Sequence, residues 1–365
     1  MTRIDSLDWQ RGLLAFAIML YHLTGWQIAE LDSSSLLGRL GIYGVSMFFV
    51  LSGLSMAIVY HKYLDGAQTS IHFFLRRIFR IWPLLWLAIF FSVAASTSAG
   101  AGPSWRLVAI NLTTAFGFIN PSLYINTGAW SIGNEMVYYA LTPLIIYAFN
   151  KRLVFGNLLT GATILLGIVF SFHILRTDES LAAQWAHYIN PFNNLFLYCA
   201  GIAIYYNTCS WQFSKMQSLL CFAAPIALFV LFPARGDQVT IVTGLGRIVF
   251  CFASVALVLA FYKNVFMIPQ AISVPLTHLG VLTYGMYLLH PIVYQSTLLA
   301  WKQLHLDIGP YGVIAVTISV TLLVAQASFK MLEAPFIRIG KKLTTGPRAV
   351  ESRTAEAPVQ SGNAV

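Results

Sequence analysis

Charged residues are scarce in this sequence, since Asp, Glu, Lys and Arg together make up only 10% of its 365 residues. Soluble domains carry about 25% charged residues, whereas here the apolar residues of the AVILMFWYC set reach 58%. The mean hydropathy of +0.71 is too high for a single globular core to bury. The composition therefore excludes a soluble enzyme or a disordered protein and predicts a membrane protein.

Acidic residues are scarcer than basic residues. There are 13 Asp and Glu against 22 Lys and Arg, which gives a net charge of +9. In a soluble protein this excess would suggest a nucleic-acid partner. In a membrane protein it is explained by basic loops that face the cytoplasm, so we expect a lipid bilayer as partner and no nucleic acid.

Cysteine pairs and the common catalytic motifs are also missing. The four cysteines are isolated and offer no CxxC pair, zinc spacing or disulfide framework. The sequence has no P-loop, GxSxG elbow or HExxH motif. We therefore expect no metal, and the candidate site residues must be sought among polar side chains within apolar runs.

Ten hydrophobic windows have the length that a membrane-spanning helix needs. They lack the two-residue alternation of outer-membrane strands, so the predicted fold is all-α and polytopic. The first window is expected to be retained, because it is longer than a signal-peptide core and no A-x-A site follows it. The windows are 9–29, 41–60, 78–98, 128–149, 153–173, 189–206, 216–233, 239–262, 276–300 and 311–332.

The distribution of Lys and Arg predicts the orientation. With the N-terminus inside, sixteen of these residues lie on the cytoplasmic side and five outside, and Arg247 lies within a span. Both termini are thus expected in the cytoplasm. Residues 105–120 are expected to form an interfacial or re-entrant helix in an outer loop, because an eleventh span would reverse every later loop. The predicted domains are a membrane domain, 1–339, and a disordered cytoplasmic tail, 340–365.

Ionisable residues within spans are costly and mark candidate functional sites. In the first span Arg11 and His22 are eleven residues apart, which places them on one helix face about 16 Å apart along the axis. Arg11 is predicted at the cytoplasmic interface and His22 beyond the middle of the membrane. The structural alternative is a snorkelling arginine and a histidine that only packs.

Glu135 and His290 are predicted at nearly the same depth as His22. Residue counts place all three about 20 Å from the cytoplasmic side of the membrane. We expect them to meet in one layer as catalytic residues. Two alternatives remain open: Glu135 pairs only structurally with Arg247, or the three residues bind a metal, which no ligand spacing supports.

Arginines cluster at the start of the third span, in FFLRRIFRIWP. Arg76 and Arg77 lie four and three residues before Arg80, so the three are predicted to form one ridge at the cytoplasmic end. Such a ridge is typical of a positive-inside anchor. It also supplies the forked donors that phosphate oxygens bind, and Arg11 is predicted at the same level.

Two further features concern packing and cavities. Residues 44–56 contain small side chains, which predict a close approach of helices. Tyr284 and Tyr287 are candidates for cavity or interfacial positions. We expect Tyr284 to contribute to substrate binding.

Six blocks of the sequence together resemble the integral-membrane acyltransferase family 3, the O-acyltransferases of bacterial surface polysaccharides and related glycans. They follow the family's order at comparable spacing, and none is decisive alone. The blocks are LDWQRGLLAFAIMLYH (7–22), GVSMFFVLSG (44–53), RRIFRIWP (76–83), WSIGNEMVYY (130–139), YGMYLLHP (284–291) and FKMLEAPF (329–336).

The resemblance implies a ten-helix enzyme of the bacterial inner membrane. Such an enzyme takes an acyl group, usually acetyl, from cytoplasmic acyl-CoA and delivers it to a glycan or lipid-linked saccharide at the outer face. The family's first-span histidine and arginine match His22 and Arg11, and its paired arginines match Arg77 and Arg80. Its W-S-…-E block matches Trp130 and Ser131 as candidate substrate-binding residues and Glu135 as a candidate catalytic residue.

The sequence departs from the family pattern in two places. Ser46 stands where the family often has an acidic residue, so a role for that position is in doubt. No soluble esterase-like domain follows residue 336, and the expectation is therefore a membrane-only member.

The expected mechanism places the CoA phosphates at the arginines and the thioester near His22. His22 takes the proton of the attacking sugar hydroxyl, and Glu135 orients His22 or binds the acceptor. His290 donates a hydrogen bond to the oxyanion. An acetyl-histidine intermediate is the alternative to direct attack.

Two other functions compete with that of an acyltransferase. A transporter or flippase of a glycan or lipid intermediate would use the buried His and Glu as a proton relay, but no inverted repeat is visible. A structural membrane subunit would not need these buried ionisable residues. Consumption of acetyl-CoA distinguishes the acyltransferase from both alternatives.

Overall fold

The protein is helical throughout the residues that its computed structural model describes, 4–305 and 308–344, and these contain no β-strand. The predicted all-α class is therefore confirmed. A π-helical turn, Phe170–Ile174, follows α7, and another, Phe329–Glu333, joins α15 to α16. The helices are α1 (Asp5–Gln27), α2 (Leu36–Tyr60), α3 (Ala67–Ser98), α4 (Trp105–Leu112), α5 (Phe116–Ile119), α6 (Ala129–Lys151), α7 (Leu153–Val169), α8 (Trp185–Tyr188), α9 (Pro191–Thr208), α10 (Lys215–Leu231), α11 (Val239–Val242), α12 (Gly244–Tyr262), α13 (Gln270–Val281), α14 (Thr283–Leu304), α15 (Gly309–Ser328) and α16 (Ala334–Thr344).

The ten predicted windows all coincide with helices. By length and composition, five helical segments within the described ranges can cross a membrane, or six if α13 and α14 form one bent span. The five are Leu36–Tyr60, Ala67–Ser98, Leu153–Ile174, Gly244–Tyr262 and Gly309–Thr344. The protein is thus a multi-pass membrane protein, whereas ten crossings and cytoplasmic termini remain predictions.

The last described helix continues past the predicted domain boundary. Residues 340–344 are the final turn of α16, which packs against α3. The rest of the predicted tail, 345–365, and three basic residues of the charge count, Arg3, Arg348 and Arg353, lie outside the described residues.

The segment 105–120 does not form an eleventh span. It contains α4, of eight residues, and α5, of four. Eight residues of helix rise about 12 Å, far less than the roughly 30 Å of the hydrocarbon core. Trp105 at the start of α4 is 78% exposed, as expected of a short helix at a membrane surface.

Helix α1 packs against α2, α13 and α14. Its contact with α13 is close because two glycines face each other. A Cβ added at Gly12 would lie 2.7 Å from the backbone nitrogen of Gly280, and one added at Gly280 would lie 2.2 Å from the carbonyl oxygen of Asp8. These contacts fix the position of the α1 segment that carries the first-span arginine.

The bend between α13 and α14 positions three polar side chains of α14. The two helices meet at Leu282 at an angle of 66°. From this bend α14 carries Tyr284, Tyr287 and His290 towards the bundle interior, at the three-residue spacing that keeps side chains on adjoining parts of one face. Pro291 follows His290 and has no backbone N–H, so the carbonyl of Tyr287 lacks its usual helical donor.

Helices α2 and α9 also make a glycine-dependent contact. A Cβ at Gly53 would lie 2.0 Å from the carbonyl oxygen of Tyr198, and a Cβ at Gly201 would lie 2.0 Å from that of Val50. Both obstacles are backbone atoms, which cannot move aside as a flexible side chain would. The close approach that the small residues of 44–56 predicted is therefore confirmed.

Gly201→Val is expected to destabilise the protein by at least about 1–3 kcal/mol, the usual cost of forcing extra methyl groups into a packed core. The substitution would push α9 away from α2. The measurement is the thermal unfolding midpoint of the purified variant. Gly161→Val in α7 is the matched control, since a Cβ there meets no atom within 4 Å. Equal unfolding midpoints for the two variants would contradict the prediction.

Candidate active site

Two histidines from different helices form a direct hydrogen bond. Nδ1 of His22 on α1 lies 2.9 Å from Nε2 of His290 on α14. The ring planes are nearly parallel, with an angle of 13° between them. His290 is 1% exposed, whereas His22 is partly exposed. The structure therefore brings together two of the three predicted catalytic residues.

The hydrogen bonds of the histidine pair define its tautomers. Nδ1 of His290 lies 2.9 Å from the carbonyl oxygen of Met286, which can only accept, so this nitrogen carries the proton. Nε2 of neutral His290 is then an acceptor, and His22 donates to it from Nδ1. This leaves the lone pair of His22 on Nε2, the arrangement that a general base needs. Both nitrogens of His290 are engaged, so the expected donation to an oxyanion does not fit this geometry.

A cavity of about 610 Å³ lies between α1, α2, α3, α6 and the bent α13–α14 pair. Its polar lining brings together residues that are far apart in the sequence. They are Asp8, Arg11, Ser52, Ser55, Tyr60, Arg77, Arg80, Ser131, Glu135, Tyr139, Thr283, Tyr284 and Tyr287. The volume lies within the range of about 300–1,000 Å³ that is usual for small-molecule sites.

Arg11 is fixed at the cavity wall by two partners. Its Nη1 donates to Oδ1 of Asp8 at 2.8 Å, and its Nη2 donates to Oγ of Ser55. Ser55 donates its own hydroxyl hydrogen to the carbonyl of Leu51. Since Asp8 offsets the charge of Arg11, this arginine contributes a fixed donor more than a free positive charge.

Arg77 and Arg80 bring unused guanidinium donors to the cavity. Arg77 donates from Nη2 to the hydroxyl of Tyr60 at 3.1 Å, and its Nε has no hydrogen-bond partner among the described residues. Arg80 is exposed at the cavity wall, and no acceptor within the described ranges bonds to it. Two guanidinium groups with unused donors favour an anionic ligand.

Arg76 points away from this cavity. Its Nε donates to Oγ1 of Thr344 at 2.6 Å, and its guanidinium carbon lies 5.1 Å from the ring centroid of Tyr63. The predicted ridge is therefore split: Arg77 and Arg80 line the cavity, while Arg76 holds α16 against α3.

Glu135 lines the cavity but does not join the histidines. The hydroxyl of Tyr139 donates to its Oε2 at 3.0 Å, and Ser52 Oγ lies 3.1 Å from the same hydroxyl. Among the described residues no hydrogen bond links Glu135 to His22 or His290. Nor does that part of the chain contain a group of three or more His, Cys, Asp or Glu placed to hold a metal ion.

Two buried arginines outside the cavity have structural partners. Arg247 donates from Nη2 to the carbonyl of Asn193 at 2.6 Å, and it makes no pair with Glu135. Arg39 donates to the carbonyls of Phe229 and Phe232 at 2.6 and 2.8 Å, and so caps the C-terminal end of α10.

The three predicted substrate-binding residues occupy different environments. Ser131 lines the cavity, and its hydroxyl lies 2.9 Å from that of Tyr287. Tyr284 also lines the cavity and donates to the carbonyl of Ile81 at 2.8 Å. Trp130 does not line it, and instead packs in the core with its ring 5.7 Å from that of Trp185.

The cavity ends close to the histidine pair. Tyr287 lines the cavity, and its ring centroid is 6.4 Å from that of His290, three residues further along α14. On α1, Arg11 lines the cavity, and His22 lies about 16 Å from Arg11 along the helix axis. An elongated ligand that fills the cavity from the arginines to Tyr287 would approach the histidine pair.

Sequence reasoning missed the cavity residues Ser52, Ser55 and Tyr139. A signal for them exists: Ser52 and Ser55 are three residues apart, on one face of α2, and Tyr139 is four residues after Glu135 on α6. These spacings place side chains on a common helix face, but only the packing of the bundle decides which face lines the cavity.

The chain is similar to known acyltransferases over most of its length. A family model described as an acyltransferase domain matches residues 4–328. Relatives include the protein named O-acetyltransferase OatA from Staphylococcus aureus strains NCTC 8325 / PS 47, COL and MRSA252. Each is 22% identical over 371 residues, covering 93% of this chain and 58% of the relative. The chain thus spans less than two thirds of these relatives. No solved structure matches it.

Proposed function

Since the chain belongs to the acyltransferase family whose domain model covers residues 4–328, we propose that it transfers an acetyl group from cytoplasmic acetyl-CoA to a hydroxyl of a glycan or lipid-linked saccharide at the bacterial inner membrane. The observation that carries this proposal is the His22–His290 hydrogen bond beside a cavity lined by Arg77 and Arg80. The name O-acetyltransferase of the Staphylococcus relatives supports the choice of acetyl and of an oxygen acceptor.

The arginine end of the cavity is the proposed donor site. Arg77 and Arg80 bind the phosphates of CoA through forked charge-assisted hydrogen bonds. Arg11, already fixed by Asp8 and Ser55, adds one oriented donor. The excess of Lys and Arg on the corresponding loops supports placing this end at the cytoplasm. The pantetheine arm then lies in the cavity and brings the thioester towards His22.

The histidine pair is the proposed proton-transfer group. Nε2 of His22 accepts the proton of the sugar hydroxyl as its oxygen attacks the thioester carbonyl, and the C–S bond breaks to release CoA, whose sulfur takes up the proton. His290 holds the ring of His22 through the Nδ1–Nε2 hydrogen bond. It also favours the positive charge that develops on His22, so His290 acts as a positioning residue.

Glu135 is proposed to shape the donor site. Its carboxylate, held by Tyr139, faces the same cavity as Arg77 and Arg80. A carboxylate in the same cavity attracts both guanidinium groups before the phosphates arrive, and it offers an acceptor for an amide N–H of pantetheine. This role differs from the expected orientation of His22, because the hydrogen bonds of His22 lead to His290.

The test uses the protein in nanodiscs with acetyl-CoA labelled in its acetyl group and a panel of free and lipid-linked glycans. We expect label on a glycan and release of an equal amount of CoA. Binding and release of a glycan or lipid without consumption of acetyl-CoA would contradict the proposal and favour the transporter or flippase. Label that stays on the protein when no glycan is present would assign an acetyl-histidine intermediate instead of direct attack.

A further inference from the structure

A half-exposed aromatic cluster lies beside the histidine pair, on the side away from the arginines. Trp26, one helical turn after His22, is 38% exposed. Its ring centroid is 5.1 Å from that of His22, with 7° between the planes. The ring of Tyr294, one turn after His290 on α14, lies 4.8 Å from that of Trp26. The base and the aromatic rings therefore form one continuous surface.

Two unused hydrogen-bonding groups adjoin these rings. Nε2 of Gln27 donates to the hydroxyl oxygen of Tyr294 at 2.6 Å. That bond leaves the hydroxyl hydrogen of Tyr294 and the amide oxygen of Gln27 without partners among the described residues. The surface thus offers one donor and one acceptor, the combination that a sugar hydroxyl satisfies.

The cluster lies at the end of α1, where this helix meets α14. Helix α1 is packed against α2, α12, α13, α14 and α15, and α14 continues ten residues past Tyr294. Among the described residues, no Lys or Arg makes a hydrogen bond or ring contact with Trp26, Gln27 or Tyr294. A ligand bound here therefore meets aromatic rings and neutral polar groups, with no cation to bind an anionic saccharide.

We propose that Trp26, Gln27 and Tyr294 bind the acceptor as a neutral pyranose ring, stacked on Trp26 with a hydroxyl directed to Nε2 of His22. Aromatic rings combined with a few placed polar groups are typical of small-molecule sites. Trp26 and Tyr294 each lie one helical turn past their histidine, so an acceptor held there reaches the pair from the end away from the arginines. This inference rests on the proposed function for the chemical step, whereas binding of the sugar is measurable without it.

The test is saturation-transfer difference NMR of the wild-type protein in nanodiscs with methyl β-glucoside, the N-acetylated methyl glucosaminide and methyl glucuronide. We expect the two neutral glycosides to bind in preference to the glucuronide. Trp26→Ala should weaken their binding by about tenfold, as expected for the loss of an aromatic contact. Trp26→Phe, which keeps an aromatic face, should retain most of the binding. Trp105→Ala, at another exposed tryptophan, is the control for the loss of surface indole.

Binding that is the same in Trp26→Ala and wild type, or that prefers the glucuronide, overturns the inference. The transfer assay with acetyl-CoA labelled in its acetyl group separates this result from a failure of the proposed function. If acetyl is transferred but Trp26→Ala binds the glycosides as wild type does, only the proposed sugar site is excluded. If binding depends on Trp26 but no acetyl is transferred, the sugar site is supported and the proposed acetyltransferase activity is excluded.

Discussion

His22→Ala is expected to lower the rate of acetyl transfer by about 10²- to 10⁴-fold, the usual contribution of a general base. The variant should still bind CoA, because His22 lies about 16 Å along α1 from Arg11 and outside the donor cavity. The measurement is the single-turnover rate of label transfer to glycan at saturating acetyl-CoA, together with the Kd for CoA.

The control for this experiment is His278→Ala. His278 is an exposed histidine of α13 with no contact to the pair, and its loss should leave the transfer rate unchanged. His290→Ala should slow transfer less than His22→Ala, because it removes the partner that orients the base and not the base itself. Full transfer activity in correctly folded His22→Ala would remove this residue from the mechanism.

Arg80→Ala is expected to raise the KM for acetyl-CoA by roughly 10- to 100-fold, since a hydrogen bond to a charged group is worth about 1.5–3 kcal/mol. The KM for the glycan should not change, because the proposed acceptor side lies beyond the histidines. The measurement is a pair of steady-state titrations, one with each substrate.

Arg76→Ala is the matched control, because Arg76 is a neighbouring arginine of the same helix whose guanidinium contacts Thr344 and Tyr63. It should leave both KM values unchanged and lower only the thermal unfolding midpoint. An increase in the glycan KM for Arg80→Ala, or equal effects of the two substitutions on acetyl-CoA, would exclude Arg80 from the donor site.

Sequence alone predicted the fold class and the common level of His22 and His290. Long uninterrupted apolar runs cross lipid as helices, because the helix satisfies its own backbone hydrogen bonds. The constant rise per residue of a helix then relates the position of a residue in the sequence to its depth in the membrane. For this reason His22 and His290, 268 residues apart in the chain, could be placed at one level before their 2.9 Å contact was known.

Lateral position and helix rotation could not be predicted in the same way. Arg76 and Arg77 differ by about 100° around α3, and only the packing of α16 and α2 decides which one faces the cavity. Glu135 reaches a similar predicted depth to the histidines, but α6 directs it to Tyr139 in the arginine-lined cavity and not to the histidines. Depth follows from counting residues, whereas neighbours depend on how all the helices pack together.

Helix α1 carries both Arg11 and His22, and this shared helix makes the site sensitive to length more than to composition. The ten residues between them span three turns, so that both side chains face one side. One inserted or deleted residue would rotate His22 by about 100° relative to Arg11 and separate it from His290. A substitution among the apolar residues that follow Gly12 keeps this register, whereas an insertion or a deletion loses it.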